Sequence, residues 1–277
     1  MTSAGQRGMA GLGPGAIVAL IGLGLLILVI VLGPSLYGVS ATEVAVLQRL
    51  QPPSFAHPFG TDQFGRDVLA RVMSGGQQSL RVASITMILT VVAGGVVGLI
   101  AGYVRGLDEI LMRICDAFMA LPAVILAIAL MAVSEPSEAS VIFSLVVVYT
   151  PRMARVVRGK TLLIREMPYV EAANALGARL PRMLFRHVLP NAIPEIIVMG
   201  SFIFGYAILD EATLSFLGVG PPPPAPSWGN MLSESRHLIR EAFWVSFFPG
   251  LLIGISVLAT NILGDRIRDR YDPRKGE

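Results

Sequence analysis

The chain has 277 residues, of which 53% are apolar and 15% charged, against about 25% charged in soluble domains. A soluble protein of this size needs a charged surface, so the composition excludes an ordinary soluble enzyme and points to the lipid bilayer. The net charge of +3 would suggest nucleic acid in a soluble protein, but here the basic residues cluster between apolar runs, where they act as topology signals, and nucleic acid is set aside as a partner.

Residues 8–42, 82–104, 117–134 and 242–264 carry no charge, and runs of about 18 or more apolar residues read as membrane spans. Six spans fit. The first runs Gly15–Leu32 and ends at Gly33-Pro34. It is long for a signal-peptide core and lacks a convincing small-residue cleavage site, so it is expected to be retained. The second is expected at Leu80–Val104, the third at Ile110–Val133 and the fourth at Ala139–Val157. The fifth is expected at Ile193–Leu217 and the sixth at Ala242–Leu263. The chain then divides into an N-terminal segment (1–14), a first span (15–34), a loop (35–79), a five-span core (80–264) and a tail (265–277). In the third loop the Pro221–Pro224 run excludes helix and predicts a stiff extended strap.

Lys and Arg set the orientation. With the N-terminus in the cytoplasm, sixteen of the 22 lie inside and six outside, which predicts both termini inside. Cys115 is the single cysteine, expected as a small core residue. The histidines are widely separated and predict no metal site.

Residues 74–78, Ser-Gly-Gly-Gln-Gln, imitate the signature of ABC ATPases. A nucleotide-binding reading fails for want of a P-loop. Before Gly159-Lys160-Thr161, the position that requires glycine is Ala154. Small residues leading into a span explain the stretch better. Asp210 and Glu211 sit within the fifth span, where a carboxylate costs about 3 kcal/mol. They are candidates for a polar path through the bilayer. The alternative is pairing with Arg236 or Arg240 at the outer interface.

The segment between spans four and five, residues 158–190, predicts two short helices. One carries Tyr169, Val170, Ala172, Ala173 and Leu176, and ends at Gly177. The other starts at Leu180-Pro181, carries Met183, Leu184 and Val188, and is closed by Pro190. This surface is too polar for lipid and too apolar to stay bare, which implies a partner or membrane headgroups. Arg179, Arg182 and Arg186 suit either.

Here the sequence resembles a known family. Glu171-Ala172-Ala173, Gly177 and Leu189-Pro190 resemble the EAA signature of ABC importer permeases, with His187 where the general pattern has isoleucine. His187–Asn191, His57–Leu69, Leu214–Pro222 with Pro226–Gly229, and Asn261–Asp265 with Asp272-Pro273 resemble the dipeptide, oligopeptide and nickel branch, in its second, C-type permease. The resemblance implies an all-α integral membrane protein with the type I importer fold. It implies half of a peptide translocation path, with Glu171, Ala172, Ala173, Gly177, Arg182, His187, Leu189 and Pro190 in an ATPase-coupling loop that Glu171 steadies by hydrogen bonds. Expected partners are a homologous permease, two cytoplasmic ATPases that carry the ATP and magnesium, and an extracytoplasmic binding protein at a bacterial inner membrane. This chain itself is expected to hold no cofactor and to catalyse no reaction. Nickel or another small solute is the alternative cargo, and an ion-coupled secondary transporter is the rival mechanism.

Overall fold

A computed structural model describes residues 14–221 and 226–271. In chain order the helices are α1 (Pro14–Tyr37), α2 (Val68–Tyr103), α3 (Arg105–Met119), α4 (Ala123–Ala132), α5 (Glu138–Arg165), α6 (Pro168–Ala175), α7 (Leu180–Arg182), α8 (Leu189–Phe216), α9 (Trp228–Ser235) and α10 (Trp244–Tyr271). Among the described residues there is no strand, and an isolated antiparallel bridge joins Thr61 to Asp67. Residues 1–13 of the first predicted segment, residues 272–277 of the last, with Asp272-Pro273, and positions 222–224 of the proline run with Ala225 lie outside the described residues.

Among the described residues, five helices are long and apolar enough to cross a membrane, and α3 with α4 makes a sixth if the bent pair counts as one span. The third span is therefore broken where a continuous helix was expected, with an 89° bend at Ala120–Pro122. Pro122 lacks an N–H and disfavours helical geometry at Leu121. The ten residues of α4 reach about 15 Å, half of a hydrocarbon core. Helix α3 is strongly amphipathic, and its Asp108 and Asp116 pair with Arg158 and Arg155 of α5.

Other boundaries also move. Helix α2 begins at Val68, twelve residues before the predicted span, because the Asp67 carboxylate accepts the Ala70 N–H at 2.9 Å and caps it. The ATPase-like stretch is thus mid-helix, and its Gly75 and Gly76 face Ser227 and Trp228. Helix α5 continues to Arg165 because Arg155, Arg158 and Lys160 find carboxylates at Asp116, Asp108 and Glu195. Helix α1 runs through Pro34 to Tyr37. Pro190 does not close a short helix. A π turn, Met183–Val188, joins α7 to α8 in one run of 37 residues, Leu180–Phe216. Its wider ladder accommodates the N–H that Pro190 lacks.

Helices α2, α5 and α8 form the centre. Gly94, Gly98 and Gly102 make a stripe on α2 that lies against the α5 backbone. A methyl on Gly98 would stand 2.5 Å from the Ala154 carbonyl oxygen, and one on Gly102 would stand 2.5 Å from Thr161 Cβ. In lipid, helices associate through such close packing rather than a hydrophobic drive. Helix α1 lies at the edge, with Val18, Ile21, Leu25 and Leu28 more than half exposed, as lipid contact requires.

Gly98→Ala should lower thermal stability in detergent by on the order of 1–3 kcal/mol through overpacking. Gly95→Ala, where a methyl meets nothing within 4 Å, should be neutral or slightly stabilising. Heating followed by size-exclusion chromatography compares the two.

Candidate functional site

The loop between α5 and α8 is seated on the bundle by three buried residues, Val170, Met183 and Val188, each 0% exposed. Pro168 starts α6, and Glu171 lies in its first turn, where the helix dipole favours a carboxylate. Gly177 ends it at φ +77°. Its N–H donates to the Asn174 carbonyl at 2.9 Å, and that of Ala178 donates to Ala173 at 3.1 Å. This is a Schellman end, which needs the left-handed residue that glycine supplies. Tyr103 at the end of α2 donates to Asn174 Oδ1 at 2.9 Å, and Asn191 Nδ2 donates to the hydroxyl of Tyr169 at 3.2 Å. Both bonds tie the loop to the helices beneath it.

The expectation that Glu171 steadies the loop by hydrogen bonds does not hold within this chain. Its side chain is exposed and bonds to no described residue, because the Schellman turn and the buried apolar anchors already hold the loop. Ala172 is exposed beside it, and Leu176 is 89% exposed. Ala173, Gly177, Arg182 and His187 line one hollow of about 500 Å³, with Leu176, Ala178 and Arg179. Leu189 and Pro190 are not in the loop but in the shaft of the helix below it.

Asp210 and Glu211 point opposite ways from α8, and neither pairs with Arg236 or Arg240. Arg236 donates instead to the Phe216 carbonyl at 2.7 Å and to Ser233. Glu211 is 0% exposed and so is enclosed within the bundle. It accepts hydrogen bonds from Ser79 of α2 and from Ser215, each at 2.8 Å. Ser79 Oγ in turn accepts the Trp228 N–H at 3.3 Å, so the carboxylate pins α8 to α2 and α9. Asp210 is half-buried and accepts a hydrogen bond from Tyr149 of α5. The Tyr206 ring stacks 6.5 Å from that of Tyr149, and the Arg152 guanidinium stands 5.8 Å from the Tyr149 centroid. Sequence reasoning passed over Tyr149 and Arg152. The signal was present, since Arg152 is an ionisable group next to Pro151 inside a span.

The His57–Leu69 stretch builds a cap at the other end of the bundle from the α6 loop. Asp62, 2% exposed, accepts from Arg71 at 2.5 Å and Arg66 at 2.6 Å. Both arginines reach Glu234 of α9, at 3.2 Å and 2.6 Å. His57 Nδ1 lies 2.8 Å from Asp67, which also accepts the Tyr37 hydroxyl at 3.0 Å. Trp244 Nε1 of α10 donates to the Thr61 carbonyl at 3.2 Å. Gly60, at φ +75°, has no room for a side chain between Gln51 and Trp244. Among the described residues no group of three His, Cys, Asp or Glu is placed to hold a metal.

Residues 94–277 match the family described as "Binding-protein-dependent transport system inner membrane component". The chain is 45% identical to a putative peptide transport system permease protein of Brucella suis biovar 1, over 92% of its own length and 87% of that protein. It is 42% identical to a dipeptide transport system permease protein of Alkalihalophilus pseudofirmus, over 94% of its length and 86% of that protein. Among solved structures it resembles the MetNI methionine ABC transporter in an inward-facing conformation, with a TM-score of 0.60, 20% identity, 73% of this chain and 97% of that chain covered. That likeness is one of fold, the type I importer permease.

Asp62→Ala leaves the buried Arg71 and the partly buried Arg66 facing one carboxylate. Removing one partner of such a buried network costs about 3–5 kcal/mol. Hydrogen–deuterium exchange should show the cap, residues 43–67, opening selectively while α5 stays protected.

Proposed function

The chain belongs to the family of binding-protein-dependent transport system inner membrane components, and we propose that it is one of two permease subunits of an ATP-driven importer of short peptides. The α6 loop carries this reading. It presents Glu171, Ala172 and Leu176 outward from a turn held rigid by the Schellman end and by Val170, Met183 and Val188. A rigid, partly apolar knob with an acidic helix start is suited to a cleft in a separate cytoplasmic ATPase. The excess of Lys and Arg at this end and in the tail supports a cytoplasmic location for it.

In this reading two ATPases close around ATP and move the knobs of this chain and a homologous partner permease. The path between the two bundles then switches between inward- and outward-facing. Nucleotide binding shifts the balance because ATP binds the closed ATPase dimer more tightly. A binding protein delivers the peptide at the capped end. The peptide assignment is supported by the printed roles of the relatives from Brucella suis and Alkalihalophilus pseudofirmus. The membrane is then the bacterial cytoplasmic membrane, and ATP hydrolysis belongs to the partner subunits.

Co-purification with ATPase subunits is the first expectation. Glu171→Arg and Gly177→Val, in the reconstituted complex, should each reduce dipeptide import per ATP hydrolysed by at least tenfold. If both variants import at the normal ratio, the α6 loop does not couple.

A further inference from the structure

Among the described ionisable groups of α5 and α8, Arg152 and Asp210 are left with an open side. Those lower on α5 pair with neighbours: Arg155 with Asp116, Arg158 with Asp108, Lys160 with Glu195. Glu211 is sealed by serine hydroxyls. Arg152 is exposed, makes no ion pair with a described residue and stands over the Tyr149 ring. Asp210 is half-buried and holds one donor, the Tyr149 hydroxyl. Tyr206, 42% exposed, completes the same face one turn from Asp210. Opposite charges thus both contact Tyr149, one over its ring and one at its hydroxyl, without forming an ion pair with each other. A charge retained within a span faces an aqueous path or a partner group, since lipid cannot solvate it.

We infer that Arg152, Tyr149, Tyr206 and Asp210 form a binding station for the two charged ends of a zwitterionic peptide on its way through the bilayer. Asp210 receives the ammonium end, Arg152 receives the carboxylate, and the exposed Tyr206 ring gives the intervening chain an apolar wall with a hydroxyl, while the buried Tyr149 positions the two charges from behind. Arg152 suits this role because its planar fork matches a carboxylate. The Tyr149 hydrogen bond orients Asp210, and the Tyr149 ring supports the Arg152 guanidinium. A cation over an aromatic face is steadied without being neutralised. The station deepens the proposed function and rests on it.

The test uses the complete complex, with binding protein and both ATPases, in liposomes, and radiolabelled Ala-Phe as cargo. Arg152→Gln and Asp210→Asn should each lower peptide moved per ATP by about tenfold, the scale of a lost charge-assisted hydrogen bond. Arg152→Lys, which keeps the charge but not the fork, should recover part of it, and Asp210→Glu should recover most of it. In a Cys115→Ala background, Tyr206→Cys should react with a membrane-impermeant cationic thiol reagent, and saturating Ala-Phe with binding protein should slow that reaction. The inference is overturned if Tyr206→Cys resists the reagent with and without nucleotide, which would place the cluster against lipid or the partner permease. It is equally overturned if Ala-Phe leaves the labelling rate unchanged, or if the charge-conserving variants lose as much flux as the neutral ones. A wild-type complex that moves Ala-Phe while the neutral variants match it sinks the station alone. A wild-type complex that hydrolyses ATP yet moves no Ala-Phe sinks the peptide reading itself.

Discussion

The close approach of α2 and α5 sets the geometry of the bundle. It exists because Gly94, Gly98 and Gly102 present bare backbone to Thr150, Ala154, Val157 and Thr161. With no hydrophobic drive between helices in lipid, that contact rests on packing, and packing fails when a methyl intervenes. Helix α8 then registers on the pair through two adjacent residues that point in opposite directions. Glu211 reaches Ser79 on α2, and Asp210 reaches Tyr149 on α5. Both bonds form only if α2 and α5 stand at the separation the glycines allow. The polar groups of α8 therefore report, through hydrogen-bond geometry, on a contact made by small residues elsewhere.

The cap works by a different physics. Its core is four charged side chains, with Asp62 and Arg71 almost wholly removed from solvent. Burying ions stabilises little by itself, and satisfied geometry matters more than the count. Asp62 uses one oxygen for the backbone N–H groups of Phe64 and Arg66 and the other for the two arginines. The network draws together elements far apart in sequence: Arg71 from α2, Glu234 from α9, and the loop that follows α1. Tyr37 adds α1 and Trp244 adds α10. Four helix ends are thereby fixed in mutual register at the face opposite the α6 loop.

The existence of the spans was legible because lipid imposes it on composition, and the charge bias made six the consistent number. The break in α3–α4 was also written in the chain, in Leu121-Pro122 and in the charges of α3, but apolar length spoke louder. The early start of α2 was hidden because its first three turns pack on protein, where polar residues such as Arg71 and Gln77 are admissible. Pro190 misled for a related reason: a proline predicts a helix end only when the ladder before it is regular, and here it is π-helical. In the loop, Gly177 was readable from local backbone chemistry alone. The partners of Asp210, Glu211 and Arg66 were not, since Tyr149, Ser79 and Glu234 lie 61, 132 and 168 residues away.

The run Leu180–Phe216 gives these separate features a mechanical relation. One end carries the seated α6 turn through Val188 and Asn191, and Asp210 and Glu211 lie near the other. At about 1.5 Å per residue, the 37 residues extend some 55 Å, so the helix spans the bilayer and a turn or two beyond. A regular helix passes displacement along its axis with little loss, whereas bending concentrates where the ladder is irregular. The π turn at Met183–Val188 lies between the loop and the membrane portion and is the irregular stretch of this ladder. Two different polar attachments hold the far end of α8. Glu211 is held by hydroxyls from α2 and α8 inside a sealed site, and Asp210 is held by one hydroxyl on an open face. The two attachments of α8 therefore differ in solvent access, with Glu211 enclosed and Asp210 on an open side.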